Sequence, residues 1–415
     1  MIDVEEFLLG ARVWLKENLT PLPQGVSQSD RLEWDEEGDL SRELQRRLFD
    51  AGYAGIAFPE EYGGRGLTAA HQKAFADEAS GYEMPLRFDI PTLTILGATL
   101  LDHGTEEQRK RYIPAMLRGD EYWAQFLSEP SGGSDLAGCL TRATRRGDEW
   151  VINGSKVWSS GAFRSSYAIC LARTNWEVPK HRGLTMFIVK VDQPAVQLAR
   201  IQRLNGSREF CQEFLDDVVV TDADVVGEVD DGWTVTTTLL RHERNATSGG
   251  SPYGNLRSRG PSAEPRYDLV SHAVQAGLTE DRWVRQQLAE AHILDVVHGH
   301  LIARVLAGTR ASTLSPHSGS LLKLFTGTKN MRRGTLAIDV GGADAVTWRR
   351  RPSGDVTEGF GEQYLSRQAR CLAGGSNEMQ RNIISERLLN MPRELGTDAK
   401  VPFNEARRNR PQRGS

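Results

Sequence analysis

The sequence predicts a multidomain α+β protein: a helical amino-terminal domain over residues 1–120, a central β domain over 121–232, a helical carboxy-terminal domain over 233–395 and a disordered tail over 396–415. Three observations predict it. A chain of 415 residues exceeds what one hydrophobic core organises, since single cores stop growing near ~250–300 residues. The spacing of apolar residues changes twice, from helical to alternating near residue 121 and back to helical at Trp233. Finally, no Gly-rich dinucleotide fingerprint, phosphate loop or HExxH motif ties the strands to a nucleotide-binding or zinc-dependent α/β architecture.

The first helical pattern runs through Phe7, Leu8, Ala11, Trp14 and Leu15, and a second through Leu44, Leu48 and Ala51. Gly52, Pro59 and the run Gly63 to Gly66 punctuate this region. Thr105, followed by acidic residues in the first turn, predicts the N-cap of a helix ending at Gly119. Between 121 and 232 the runs WVING, SYAICLAR, LTMFIVKVD, VQLARI and EFLDDVVV are short and rich in Val, Ile and aromatics. Gly, Asn and Asp turns separate them, as in a β domain. After Trp233, the stripe Val284, Leu288, Ala291, Leu294, Val297, Leu301 and Val305 predicts a long helix, and Leu321, Leu322 and Phe325 begin another. Residues 246–266 are rich in Gly, Ser and Pro and break a helix that starts near Gly232; the tail from about Pro402 carries four arginines and reads as solvated.

A formal net charge of -4 gives no basic field for nucleic acid or an anionic membrane, so neither is expected as a partner. No apolar run approaches the ~18 residues of a membrane span. The acidic, amphipathic start is unlike a targeting peptide, so a cytoplasmic location is expected. Cys139, Cys170, Cys211 and Cys371 lack metal or disulfide spacing and read as buried thiols. No metal site is expected, and His298 and His300 read as ordinary helix residues.

Four blocks, in order, carry a resemblance that covers residues 5–395. They are AGIAFPEEYGGRGL at Ala54, WAQFLSEPSGGSDLAG at Trp123, INGSKVWSSGA at Ile152 with EFLDDVVVTDADVVGEVDDGW at Glu213, and GGSNEMQRNIISERLL at Gly374. With these blocks the chain resembles the acyl-CoA dehydrogenase family. The resemblance implies an amino-terminal α domain, a central β-barrel-like domain and a carboxy-terminal four-helix bundle. It also implies FAD, an acyl-CoA substrate, electron-transferring flavoprotein as acceptor, and a homodimer, homotetramer or heteromer with a related subunit. By position, Phe126, Leu127, Ser128, Trp158, Ser159 and Ser160 would line the flavin, Trp158 as an aromatic wall and Ser160 near N5. Asp339, Gly342, Ser376 and Glu378 would complete the cofactor shell, and Ser134, Arg244 and Gly374 would meet the substrate. Considered without its block, Trp158 reads first as a core tryptophan of the β domain.

The family's reaction removes an α-proton from the thioester while hydride leaves the β-carbon for the flavin, and this requires one carboxylate base. Most members hold it where this chain has Gly374; a minority, similar to long-chain and isovaleryl types, hold it on a helix directly before an arginine. Glu243-Arg244 matches that slot. Burial is expected to raise the Glu243 pKa, and Arg244 to oppose the rise. A backbone N–H at Gly374 would still serve the thioester oxygen. Two positions depart from the family pattern: Asp281 stands where many relatives carry an arginine, and Asp339 where a glutamine is common. They open the alternative of a non-catalytic subunit in a heteromeric enzyme, beside that of an acyl-CoA oxidase of the same fold. The break after Glu243 would make room for a bulky or branched acyl group, or form a plain solvent loop.

Overall fold

The computed structural model describes residues 2–22, 34–85, 87–247, 251–254, 269–346, 359–393 and 400–406. They fall into two compact units: one of Met1–Ile201, Arg208–Gly260 and Gly396–Ser415, the other of Gln202–Ser207 and Pro261–Leu395.

Amphipathic helices open the first unit: α1 (Val4–Asn18), α2 (Trp34–Asp50) and α3 (Ala69–Ala79). Phe7, Ala11 and Leu15 of α1 are buried with Leu44 and Leu48 of α2 and Phe75 of α3, as their helical spacing predicts. Each of the leucine and phenylalanine side chains among them contributes about 1.5–3 kcal/mol on full burial. A π-helical segment, Phe88–Gly97, continues into α4 (Ala98–His103), and α5 spans Glu106–Arg118. Thr105 caps α5 as expected: Thr105 Oγ1 accepts from the Gln108 N–H, and the Gln108 side chain returns the bond to the Thr105 N–H. Gln108 Nε2 also donates to the Ala223 and Val225 carbonyls, so one side chain fastens the helix start to the β region. Gly119, with φ 83°, ends α5 where a side chain would meet Gln45.

Eight strands follow: β1 (Trp123–Phe126), β2 (Arg142–Arg146), β3 (Glu149–Ser160), β4 (Tyr167–Arg173), β5 (Leu184–Lys190), β6 (Val196–Ile201), β7 (Phe210–Thr221) and β8 (Val225–Val226). Their order is β6-β7-β3-β2-β4-β5-β8, and β1 pairs parallel with β4. β3 and β7 form the long antiparallel core pair, with irregularities between Ile152 and Gly154 and between Val157 and Ser159. α6 (Gly232–Thr247) packs back on this sheet because Gly232 has no side chain; a Cβ there would lie 2.7 Å from the Thr185 backbone. No described helix is long and apolar enough to cross a membrane.

In the second unit, α7 (Leu269–Gln275), α8 (Arg282–Arg310), α9 (Gly319–Ala345) and α10 (Phe360–Ser366) share a core that includes Val284, Ala291, Leu336 and Val340, and the short helices α11 (Ala369–Leu372) and α12 (Asn377–Ile383) follow. His298 stacks on Phe325 and bonds Thr326, consistent with its reading as a helix residue.

Two expectations need correction. Cys139, Cys170 and Cys211 are buried free thiols, but Cys371 on short α11 is only partly covered. The tail is not free throughout: the Phe403 ring is buried under the Arg173 guanidinium, 3.5 Å from the ring centroid, and the Phe403 and Asn404 N–H groups donate to the Val178 and Trp176 carbonyls. Residues 407–415, with all four tail arginines, lie outside the described residues, as do 248–250 and 255–266 of the Gly-rich stretch.

Replacing Thr105 by Ala removes the side-chain half of the capping box and is expected to lower stability by about 1 kcal/mol. Urea unfolding of the two proteins, compared at equal slope, measures it.

Candidate active site

α6 presents Thr236, Leu239 and Ala246 to the interior, and Glu243 falls on the same stripe at spacings of three and four. Its side chain is half-buried. Burial raises the Glu243 pKa; the Gln125 side chain and the Arg244 charge pull it down without cancelling the rise. Gln125 Nε2 makes no close hydrogen bond, so its amide acts on the carboxyl at longer range. Arg244, one residue on, is turned to the exposed side.

Gln125 belongs to β1, which leads into Phe126, Leu127, Ser128 and the loop to Cys139. A buried ion pair fixes that loop. Lys156 of β3 has no exposed surface, and its Nζ donates to the Leu127 carbonyl at 3.1 Å and to Glu129 Oε1 at 3.0 Å. Glu129 also accepts from the N–H groups of Leu140 at 2.7 Å and Thr141 at 2.8 Å. Burial by itself would raise the Glu129 pKa, but the Lys156 charge and these donors overcome it and bring the value to about 2. Lys156, in turn, is held above its ordinary value despite burial, by Cys139 and Glu129. The Val157 N–H donates to the Ser128 carbonyl, so the strand and the loop are joined beside the pair.

Beyond Val157, β3 kinks. Trp158 adopts φ 69°, a conformation that places a non-glycine residue about 1–2 kcal/mol uphill, and the kink turns its ring out to 56% exposure against the edge of Phe210. Trp158 is therefore not a core tryptophan. Ser160 is half-buried beside it, Leu127 is buried and Ser128 partly so. Gly133 approaches Ser128 closely: a Cβ there would lie 3.2 Å from Ser128 Oγ. Ser134 is exposed on the same loop.

Two expected lining residues are placed otherwise. The Phe126 ring is wholly buried among Ala124, Cys170 and Phe187, because strand alternation turns it into the sheet core. Ser159 is also buried, and its hydroxyl is engaged inward. Only their backbones remain to line a ligand.

Five expected residues lie in the second unit. Asp339 is exposed on α9, near the charge of Arg332. Gly342 interrupts α9 with φ 52°. Gly374 and Gly375 take φ 67° and 85°, and their carbonyls accept from Gln380 Nε2. The Ser376 hydroxyl accepts from the Met379 N–H as the cap of α12, and Glu378 is exposed in its first turn. Asp281 caps α8, accepting from the N–H groups of Trp283 and Val284.

Comparison with known proteins places the chain. The acyl-CoA dehydrogenase N-terminal domain matches residues 10–120, the middle domain 124–218 and the C-terminal domain 230–389. The chain belongs to the acyl-CoA dehydrogenase family. It is 37% identical to acyl-CoA dehydrogenase IpdE1 of Mycobacterium tuberculosis over 95% of this chain and 99% of that one. Its fold is similar to the Tcur3481-Tcur3483 steroid ACAD, with TM-score 0.71 and 28% identity over 94% and 98% of the two chains. It is also similar to the ChsE4-ChsE5 complex from Mycobacterium tuberculosis, with TM-score 0.67 and 26% identity over 94% and 98%.

Sequence reasoning missed Gln125, Glu129 and Lys156. Glu129 and Lys156 stand inside the quoted blocks, and a lysine within a β run was the available signal.

Lys156→Met leaves Glu129 buried without its cation and is expected to destabilise the first unit by about 3–5 kcal/mol. The Glu129 contribution is complete above its unfolded pKa and is lost as pH falls from about 4.5 toward about 2, because its folded pKa is depressed. Thermal unfolding followed from pH 7 to pH 3 should show the acid loss in the wild type and a smaller one in Glu129→Gln.

Proposed function

We propose that the chain catalyses FAD-dependent α,β-dehydrogenation of an acyl-CoA thioester, with Glu243 as the base that takes the α-proton. The observation that carries this reading is the placement of Glu243: a carboxyl on the inward stripe of α6, raised in pKa by burial and adjacent to the strand that leads into Leu127 and Ser128. A base of this kind holds a proton more readily than an exposed glutamate, which suits abstraction of a weakly acidic C–H.

The residues present fit a flavin. Trp158 offers an exposed aromatic face on a fixed kink, Ser128 and Ser160 offer polar groups beside it, and Gly133 leaves the loop without a side chain where a ligand would approach. When bound, FAD supplies the hydride acceptor. Arg244 supports the helix turn that carries the base, and Ser134 faces outward where a pantetheine arm would lie. Asp339, Gly342, Ser376 and Glu378 would extend the cofactor shell, and the Gly374 N–H would serve the thioester oxygen.

The described stretch Ser251–Gly254 returns over the amino-terminal helices: the Tyr253 ring lies 4.7 Å from that of Phe58, and Gly254 is pressed against Thr94. A relative is described as a steroid ACAD. A ring-bearing or branched acyl thioester is the preferred class, and electron-transferring flavoprotein the acceptor.

A second reading concerns assembly. Asp281 is engaged as a helix cap and Asp339 is an exposed acid, so neither supplies the family's usual side chain toward a neighbouring FAD. Similarity to a two-component complex supports a heteromer with a related subunit.

Purified protein, alone and co-expressed with a related subunit, is to be titrated with straight, branched and steroid acyl-CoA thioesters while flavin absorbance is followed. Bleaching strongest with the bulky thioesters is expected. Glu243→Gln should keep the flavin and lose about 10²- to 10⁴-fold in reduction rate. An unchanged rate removes the base assignment; a colourless chain that turns yellow only with its relative establishes the heteromer.

A further inference from the structure

Behind the kink at Trp158 lies a polar cluster in the interior of the β region. Glu213 of β7 has no exposed surface. It points inward in line with Cys211 and Leu215, and its Oε2 lies 3.0 Å from Ser159 Oγ. Ser159 Oγ lies 2.8 Å from the Gln125 carbonyl oxygen. Glu213 Oε1 has no hydrogen-bond partner among the described residues.

A serine hydroxyl carries one hydrogen, and a carbonyl oxygen only accepts. With that hydrogen on the Gln125 carbonyl, the closer contact, the Glu213 contact is a hydrogen bond only if Glu213 carries a proton and donates it to Ser159. Were Glu213 ionised, Ser159 would have to turn its hydrogen to the carboxylate and release the Gln125 carbonyl, and Oε1 would be a buried anionic oxygen without a donor. We infer that Glu213 is a positioning residue, held as the neutral acid, whose O–H fixes Ser159 on the Gln125 carbonyl and so couples the Trp158 kink to the strand facing Glu243.

The surroundings agree. Burial pushes the Glu213 pKa up to about 8, against the opposing pull of Ser159 and Lys156. Lys156 of β3 is the cation acting on it, and its Nζ is engaged by Leu127 and Glu129. Cys170 of β4 and Cys211 of β7 also sense Glu213, but burial pushes their thiols up to about 12 and about 11, so both are neutral near pH 8. Arg200 of β6 acts on Cys211 and donates to the Arg208 carbonyl. Among the described side chains, ionising Glu213 therefore leaves no donor but Ser159, beside the weak pull of its own backbone N–H. The Ser159 hydrogen is then withdrawn from the residue whose amide acts on Glu243, and the serine beside Trp158 changes its bond.

The kinetic role rests on the dehydrogenase reading above; the neutral acid does not. In a Glu243→Gln background, which removes the other raised carboxyl of this region, the infrared spectrum at pH 7 is expected to show a protonated-carboxyl C=O band. That band should vanish as pH rises through about 8 and be missing in Glu213→Gln. It should shift in Ser159→Ala, a check that stands even where Glu213→Gln fails to fold. A spectrum without the band, or a band unmoved by both substitutions, overturns the inference. In protein with Glu243 intact, thioester-driven flavin reduction should fall roughly tenfold from pH 7 to pH 9 as the neutral acid is lost, and stay level in Glu213→Gln. The base itself gives the opposite slope, since Glu243 must be ionised to act. Equal profiles in wild type and Glu213→Gln overturn the positioning role. Reduction by no thioester overturns the dehydrogenase reading and the kinetic role with it, while the infrared band upholds or overturns the neutral acid on its own.

Discussion

The Lys156–Glu129 pair is the constraint on which the first unit depends. Two opposite charges lie in the same apolar interior, and each is satisfied by more than the other: Lys156 by the Leu127 carbonyl, Glu129 by the Leu140 and Thr141 amides. Desolvation makes such a pair a weak source of net stability, but it makes misplacement of either member costly. The pair therefore selects a geometry more than it adds stability. It fixes where the chain passes from β1 through Leu127 and Ser128 into the loop, and where β3 runs against it.

With that frame in place, the kink in β3 becomes possible. A tryptophan in the left-handed region is unfavourable locally, and the antiparallel pairing to β7 on both sides holds it there. The result is an aromatic face open to a ligand on one side of the strand and a serine directed into the interior on the other. Glu213 answers that serine, so a polar cluster sits where an apolar strand pair would be simpler. Stability has been given up at one point, and the point adjoins the proposed base and the proposed flavin wall.

The second unit reuses family positions for local needs. Asp281 begins α8 by accepting two backbone N–H groups, a task aspartate performs well and arginine does not. Ser376 caps α12, and Gly374 and Gly375 both require positive φ, so a glutamate at Gly374 would be strained as this turn stands. The turn at Gly374 has no place for a carboxylate side chain, and the proposed base is Glu243.

Much of this was legible in the sequence by itself. The period changes gave the helical and β regions, the quoted blocks gave the family, and Thr105 announced its cap through the acidic residues of the turn that follows it. Glu243 was placed by its neighbour Arg244, and its fit to the stripe of Thr236, Leu239 and Ala246 follows from helical spacing alone. Where contacts between distant residues decide, the sequence falls silent. Strict alternation through Trp150, Ile152 and Lys156 puts Trp158 inside and Ser159 outside; the irregularity between Val157 and Ser159 reverses both. The same period, followed along β7, aligns Glu213 with Cys211 and Leu215, but only the fold supplies the serine and the carbonyl that hold its proton. Phe403 was hidden in a polar tail because its binding site, Arg173 and Trp176, lies far back in the chain. Local spacing determines which residues face inward, since it needs only neighbours; tertiary structure decides which charges and hydroxyls meet there, since those partners are brought together from remote strands.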